Sequence, residues 1–145
     1  MVVTLDTGIL VRATARSNGP ARRLVDGLAA NSAHVLALSP FILGEVGKAL
    51  SYPHLQEILR ITPDEVHEHV AYLRRIARII VPQIGIPVIL NDPDDDPILY
   101  TAVGAGADVL CTKDRAFYAP NVARFCLGHG LEVMEDVALL SRLLI

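Results

Sequence analysis

Short apolar runs of strand length alternate along this chain with longer stretches of helical period, and that alternation restricts the fold more than any other feature. Val2–Leu5, Val35–Leu38 and residues 107–112 are short and dominated by aliphatic side chains, the pattern of strands buried on both faces. Between the first two, Asn18-Gly19-Pro20 makes a turn that puts proline at a first helical position. Ala21, Leu24, Val25 and Leu28 then recur at helical spacing. After the second run, Ser39 precedes Pro40 as N-cap and first residue of a helix bearing Ile42, Leu43, Val46 and Leu50, with Glu45 inside it. Thr62-Pro63-Asp64-Glu65 has the form of a capping box and opens a long helix bearing Val66, Val70, Leu73 and Ala77.

Further along, residues 79–82 and 86–90 are apolar but punctuated by Gly85 and Pro87, and read as strand or extended connector. The polar turn 91–97 delivers acids to a helix running from Pro97 to about Gly104, with Asp96 as its natural N-cap. Residues 131–134 add a last strand and 137–144 a closing helix. Strands alternating with helices predict an α/β fold with a mostly parallel sheet and helices on both faces. A chain of 145 residues, 52% hydrophobic, suits one domain over 1–145 with one core.

A net charge of -3 excludes nucleic-acid binding through a broad basic surface, so any such role needs a local site. The arginines of Arg22-Arg23 and of Arg74-Arg75-Arg78 fall at helical spacing and read as solvated faces. The opening segment has no basic leader, carries Asp6 and is too short to span a membrane; no other segment reaches that length. Cys111 and Cys126 read as buried free thiols, and a cytoplasmic protein is expected. His67 and His69 stand two apart on a helix without ligand partners at zinc spacing, and read as surface residues. Asp92, Asp94 and Asp96 alternate like the start of a calcium loop, but Pro97 stands where the sharp turn needs glycine.

The remaining acids are more informative. In an open parallel sheet, ligands bind beyond the carboxyl ends of the strands. Asp6 directly follows the first run and Asp114 closely follows 107–112; Asp96 sits at a helix start, and Glu45 lies about one and a half turns into the helix after the second run. Four carboxylates thus converge on one end of the sheet. Two like charges 4 Å apart repel by ~1 kcal/mol in water and ~4 kcal/mol at an effective dielectric near 20. Mg²⁺ or Mn²⁺, which prefer oxygen ligands, relieve that repulsion, and metal-assisted phosphodiester hydrolysis is the chemistry such a cluster suits. From spacing alone each acid also has an ordinary reading: Asp6 and Asp96 as helix caps, Glu45 as a surface residue.

Three segments resemble the PIN-domain family: LDTGILV at the N-terminus, SPFILGEVGKAL, and DPDDDPILYTAVGAGADVLCTKDRAF. The resemblance implies a three-layer α/β/α sandwich and a ribonuclease dependent on Mg²⁺ or Mn²⁺, of the kind found as VapC-like toxins. It places the catalytic, metal-binding acids at Asp6, Glu45, Asp96 and Asp114, with Asp95 taking the third place if the register slips by one. Thr112 matches the polar residue that positions a water or phosphate oxygen. RNA as substrate, a protein antitoxin and a homodimer are further implications. Two positions depart from the family pattern: Gly8 stands where asparagine is usual, and Ala116 where many members carry another aspartate. They leave open a catalytically weak or inactive module that binds RNA or a protein partner.

Overall fold

The structure is a computed structural model and describes residues 1–143. Strands β1 (Val2–Leu5), β2 (Val35–Leu38), β3 (Arg78–Ile79), β4 (Val109–Cys111) and β5 (Glu132–Met134) form one sheet in the order β3-β2-β1-β4-β5, every pair parallel. Eight helices accompany them among the described residues: α1 (Thr7–Val11), α2 (Pro20–Ala30), α3 (Pro40–Leu50), α4 (Pro53–Leu59), α5 (Pro63–Ile76), α6 (Asp96–Gly104), α7 (Pro120–Gly128) and α8 (Asp136–Leu143). The result is the expected α/β/α sandwich. Val3, Thr4 and Leu5 of β1 are all fully buried although their side chains point to alternate faces, so helices cover both sides of the sheet. Thr4 is accommodated because its hydroxyl donates to the Ala37 carbonyl at 2.9 Å.

Local chemistry explains the boundaries. Ser39 accepts a hydrogen bond from the Ile42 amide and starts α3, while Thr62 and Glu65 form both bonds of a capping box and start α5. All four apolar residues expected on α2 are buried. Both cysteines are buried free thiols, and burial pushes Cys111 up to about 12. No helix among the described residues is long and apolar enough to cross a membrane. Leu144, the last residue of the expected closing helix, lies outside the described residues.

Of the two readings for residues 79–82 and 86–90, the structure has connector for all but Ile79, which pairs in the sheet as part of β3; Pro82 and Pro87 have no N–H for a ladder, and Val81 and Ile86 stay exposed. Two expectations are corrected. Asp96 is the first residue of α6 rather than its cap. A 3₁₀ turn over Pro93–Asp95 runs into the helix, so Asp95 takes the N-cap position, without a side-chain cap bond. His69 is buried, not on the surface, because Val66, His69 and Leu73 form the inward stripe of α5. Its Nε2 lies 2.9 Å from the Leu10 carbonyl, and burial lowers its pKa, favouring a neutral ring that donates to that oxygen.

Candidate active site

The strand order fixes where a site can form. From β1 the chain builds outward to β2 and β3, then returns to the other side of β1 for β4 and β5. The crevice between the carboxyl ends of β1 and β4 is therefore the switch point at which open α/β sheets bind ligands. Asp6 leaves β1 at this crevice, its amide donating to the Cys111 carbonyl at 2.9 Å. Leu5 pairs with Cys111, which brings Thr112 alongside Asp6. The Thr112 hydroxyl donates to Asp6 Oδ2 at 2.6 Å and accepts from the Asp114 amide at 3.0 Å. One fully buried threonine thus holds one acid by its side chain and another by its backbone. Asp114 Oδ1 in turn accepts the Ala116 amide at 3.0 Å.

A cleft of about 390 Å³ opens here, and Asp6, Glu45, Asp95 and Asp114 all line it. Asp96 does not. Its two oxygens accept the Val88 amide at 3.0 Å and the Ile89 amide at 2.9 Å, and the residue is only 3% exposed. Consecutive residues on a helix point about 100° apart, so Asp95 faces the cleft while Asp96 anchors the preceding loop. The third carboxylate lining the cleft is thereby that of Asp95, one position before Asp96.

The cluster is electrostatically strained. Burial raises the Asp6 pKa, the Thr112 hydroxyl opposes that, and the charge of Asp114 adds to it. Asp95 is pushed up to about 7, first by burial and then by Asp92, Asp6 and Asp114. Among the described residues none of the four acids has an ion-pair partner. Two cations that sequence reasoning passed over, Arg12 and Lys113, also line the cleft. Arg12 is half-exposed and lies 3.8 Å from Asp136. Their signal was position: Arg12 closes the first helix after Asp6, and Lys113 sits between Thr112 and Asp114.

The donor set fits a hard divalent cation. It offers carboxylate oxygens from four elements, and the buried Thr7 Oγ1 in the same wall has no hydrogen-bond partner. Among the described residues no three acids, histidines or cysteines already stand in a chelating arrangement. Like charges hold carboxylates apart, and Mg²⁺, which keeps several waters, needs only one or two of them directly.

Residues 2–116 match the family model of the PIN domain. The chain belongs to the PIN-domain family. All four acids of the cleft lie within the matched span, and α7, β5 and α8 of this PIN domain lie beyond it. Among solved structures it resembles the crystal structure of VapBC2 from Rickettsia felis bound to a DNA fragment from their promoter. That likeness has a TM-score of 0.56 at 16% identity, over 93% of this chain and 98% of the other. At that identity it concerns the fold. No curated protein is similar enough in sequence to count as a relative.

Proposed function

We propose that this PIN domain is an endoribonuclease dependent on Mg²⁺ or Mn²⁺ and the toxin of a toxin-antitoxin pair. The observation that carries the reading is the convergence of Asp6, Glu45, Asp95 and Asp114 on one cleft at the switch point, none of them in an ion pair among the described residues. A bound divalent ion supplies Lewis-acid chemistry there, lowering the pKa of water and offsetting charge on a phosphodiester. The acids of the cleft would hold the ion, one or two directly and the others through its waters, and the Thr112 hydroxyl, bonded to Asp6 Oδ2, fixes the Asp6 carboxylate. Arg12 and Lys113 meet the phosphate oxygens of RNA on the cleft wall. The fold likeness to VapBC2 supports a protein antitoxin as partner; that the protein is a cytoplasmic homodimer is part of the same proposal.

The test is cleavage of a panel of structured and single-stranded RNAs with Mg²⁺, Mn²⁺ or chelator. Asp6→Asn and Asp95→Asn are expected to abolish a metal-dependent activity of the wild type. A second reading, a weak or inactive module, is favoured by Gly8 and Ala116, which leave the cleft without the amide and the extra acid usual in the family. No cleavage under any condition, together with no binding of Mg²⁺ or Mn²⁺ by calorimetry, would decide for that module.

A further inference from the structure

The acid cleft does not end at Asp114. Lys113 lines both that cleft and an adjoining groove of about 530 Å³, whose walls include Arg115, Tyr118 and Glu135. Tyr118 is 42% exposed, yet its ring is not free to swing: its hydroxyl donates to the Thr112 carbonyl at 2.7 Å. The 3₁₀ turn that carries it (Arg115–Tyr118) is capped by Asp114 and pinned by the fully buried Phe117. The same Thr112 holds Asp6, so the ring is registered to the acids. The other strongly exposed ring among the described residues, Tyr52, lines neither space.

We infer that the groove is a platform for single-stranded RNA, on which a base beside the cut phosphodiester stacks on Tyr118 while its backbone runs along Lys113 and Arg115. This rests on the nuclease reading of the cleft. Neither cation has an ion-pair partner among the described residues, which leaves both available to phosphate. Glu135, which also lines the groove, repels phosphate, so the backbone is expected to follow the two cations rather than this acid. A fixed, half-exposed ring beside a cationic track is the combination that holds single strands without regard to sequence. In a duplex the faces of the bases are already stacked on one another and the ring finds no partner.

The inference is tested on the full chain carrying Asp6→Asn, which binds without cutting, by fluorescence anisotropy of a labelled single-stranded RNA hexamer and of an RNA hairpin duplex. Adding Tyr118→Ala is expected to weaken hexamer binding about tenfold and leave the hairpin unchanged, while Tyr118→Phe, which keeps the stacking face but loses the bond to Thr112, falls between. Lys113→Gln and Arg115→Gln are each expected to reduce the slope of log affinity against log salt by about 0.7. Unchanged hexamer binding by Tyr118→Ala, equal losses on hexamer and hairpin, or no hexamer binding before Tyr118 is changed overturns the inference. If Tyr118→Ala fails to fold, the salt slopes of the two exposed cations decide. Wild-type protein that cuts RNA while Tyr118→Ala changes nothing removes the platform and leaves the nuclease. Hexamer binding through Tyr118 with no cleavage by wild type in Mg²⁺ or Mn²⁺ removes the nuclease and leaves a binding groove.

Discussion

Asp95 and Asp96 are neighbours in sequence, and the structure gives them opposite energetic roles that one pair of variants separates. Asp96→Ala removes a buried carboxylate that accepts two amides, leaving the N–H groups of Val88 and Ile89 without partners. Each stranded buried donor costs about 1–3 kcal/mol, so roughly 3 kcal/mol in all is a moderate expectation. With an unfolding entropy of ~2.1 cal/mol/K per residue over 145 residues, that lowers Tm by roughly 10 °C. Asp96→Asn keeps one acceptor but turns an amide NH₂ toward the other N–H, and is expected to fall between. Asp95 makes no such bonds and sits among Asp92, Asp6 and Asp114. Asp95→Asn should therefore melt at or above the wild-type temperature in chelator, and lose RNA cleavage. Asp96→Asn should still cut RNA well below its own melting point. The assay is thermal melting by circular dichroism in EDTA alongside cleavage in Mn²⁺. If Asp95→Asn loses as much Tm as Asp96→Asn, or Asp96→Asn is dead while folded, the assignment of the two roles is wrong.

The pH response of the metal-free protein follows from the same cluster. Asp95 titrates at about 7 in the folded chain against an ordinary 3.8, so its folded form binds more protons in between. Its contribution to stability is full below the ordinary value and is lost as pH rises through about 7. The Tm difference between wild type and Asp95→Asn in EDTA should therefore widen in the variant's favour from pH 5 to pH 8; a difference that stays flat counts against a strained cluster. Thr112→Val preserves shape but removes the bonds to Asp6 and to the Asp114 amide, and should cost roughly 10–100-fold in metal affinity or activity, read from a Mg²⁺ titration of cleavage. Gly8→Asn should fold without loss of Tm, since nothing lies within 4 Å of a Cβ built there, and should tighten Mn²⁺ binding by calorimetry. A clear drop in its Tm would show that the position is more crowded than the structure has it.

Much of the scaffold was legible because its signals are local. Ser39 and Thr62 announce helix starts by side-chain geometry within three residues, β2 is an uninterrupted apolar run, and β1 is broken only by Thr4. α4 was not legible: it is only seven residues long and none is fully buried, so Leu55, Ile58 and Leu59 make too short an apolar stripe to stand out behind the proline at its first position. Of the candidate site, Asp6, Glu45 and Asp114 could be placed from the strands and helix that carry them. The choice between Asp95 and Asp96 could not. Three aspartates stand in a row at 94–96, and which one faces the cleft depends on the 3₁₀ turn before α6 and on amides at Val88 and Ile89 that lie in a stretch without regular structure. His69 was misjudged for a similar reason, its partner being a carbonyl 59 positions away.

The bond between Thr112 and Asp6 joins residues 106 positions apart, and β1 reaches its central place in the sheet only when β4 pairs beside it. Closing so long a loop is among the slowest steps a small domain takes. A chain growing from the ribosome therefore presents Asp6 well before Asp114, and has no site until β4 and the turn after it have emerged and docked. Assembly order itself delays the onset of any chemistry at this cleft until β4 lies beside β1.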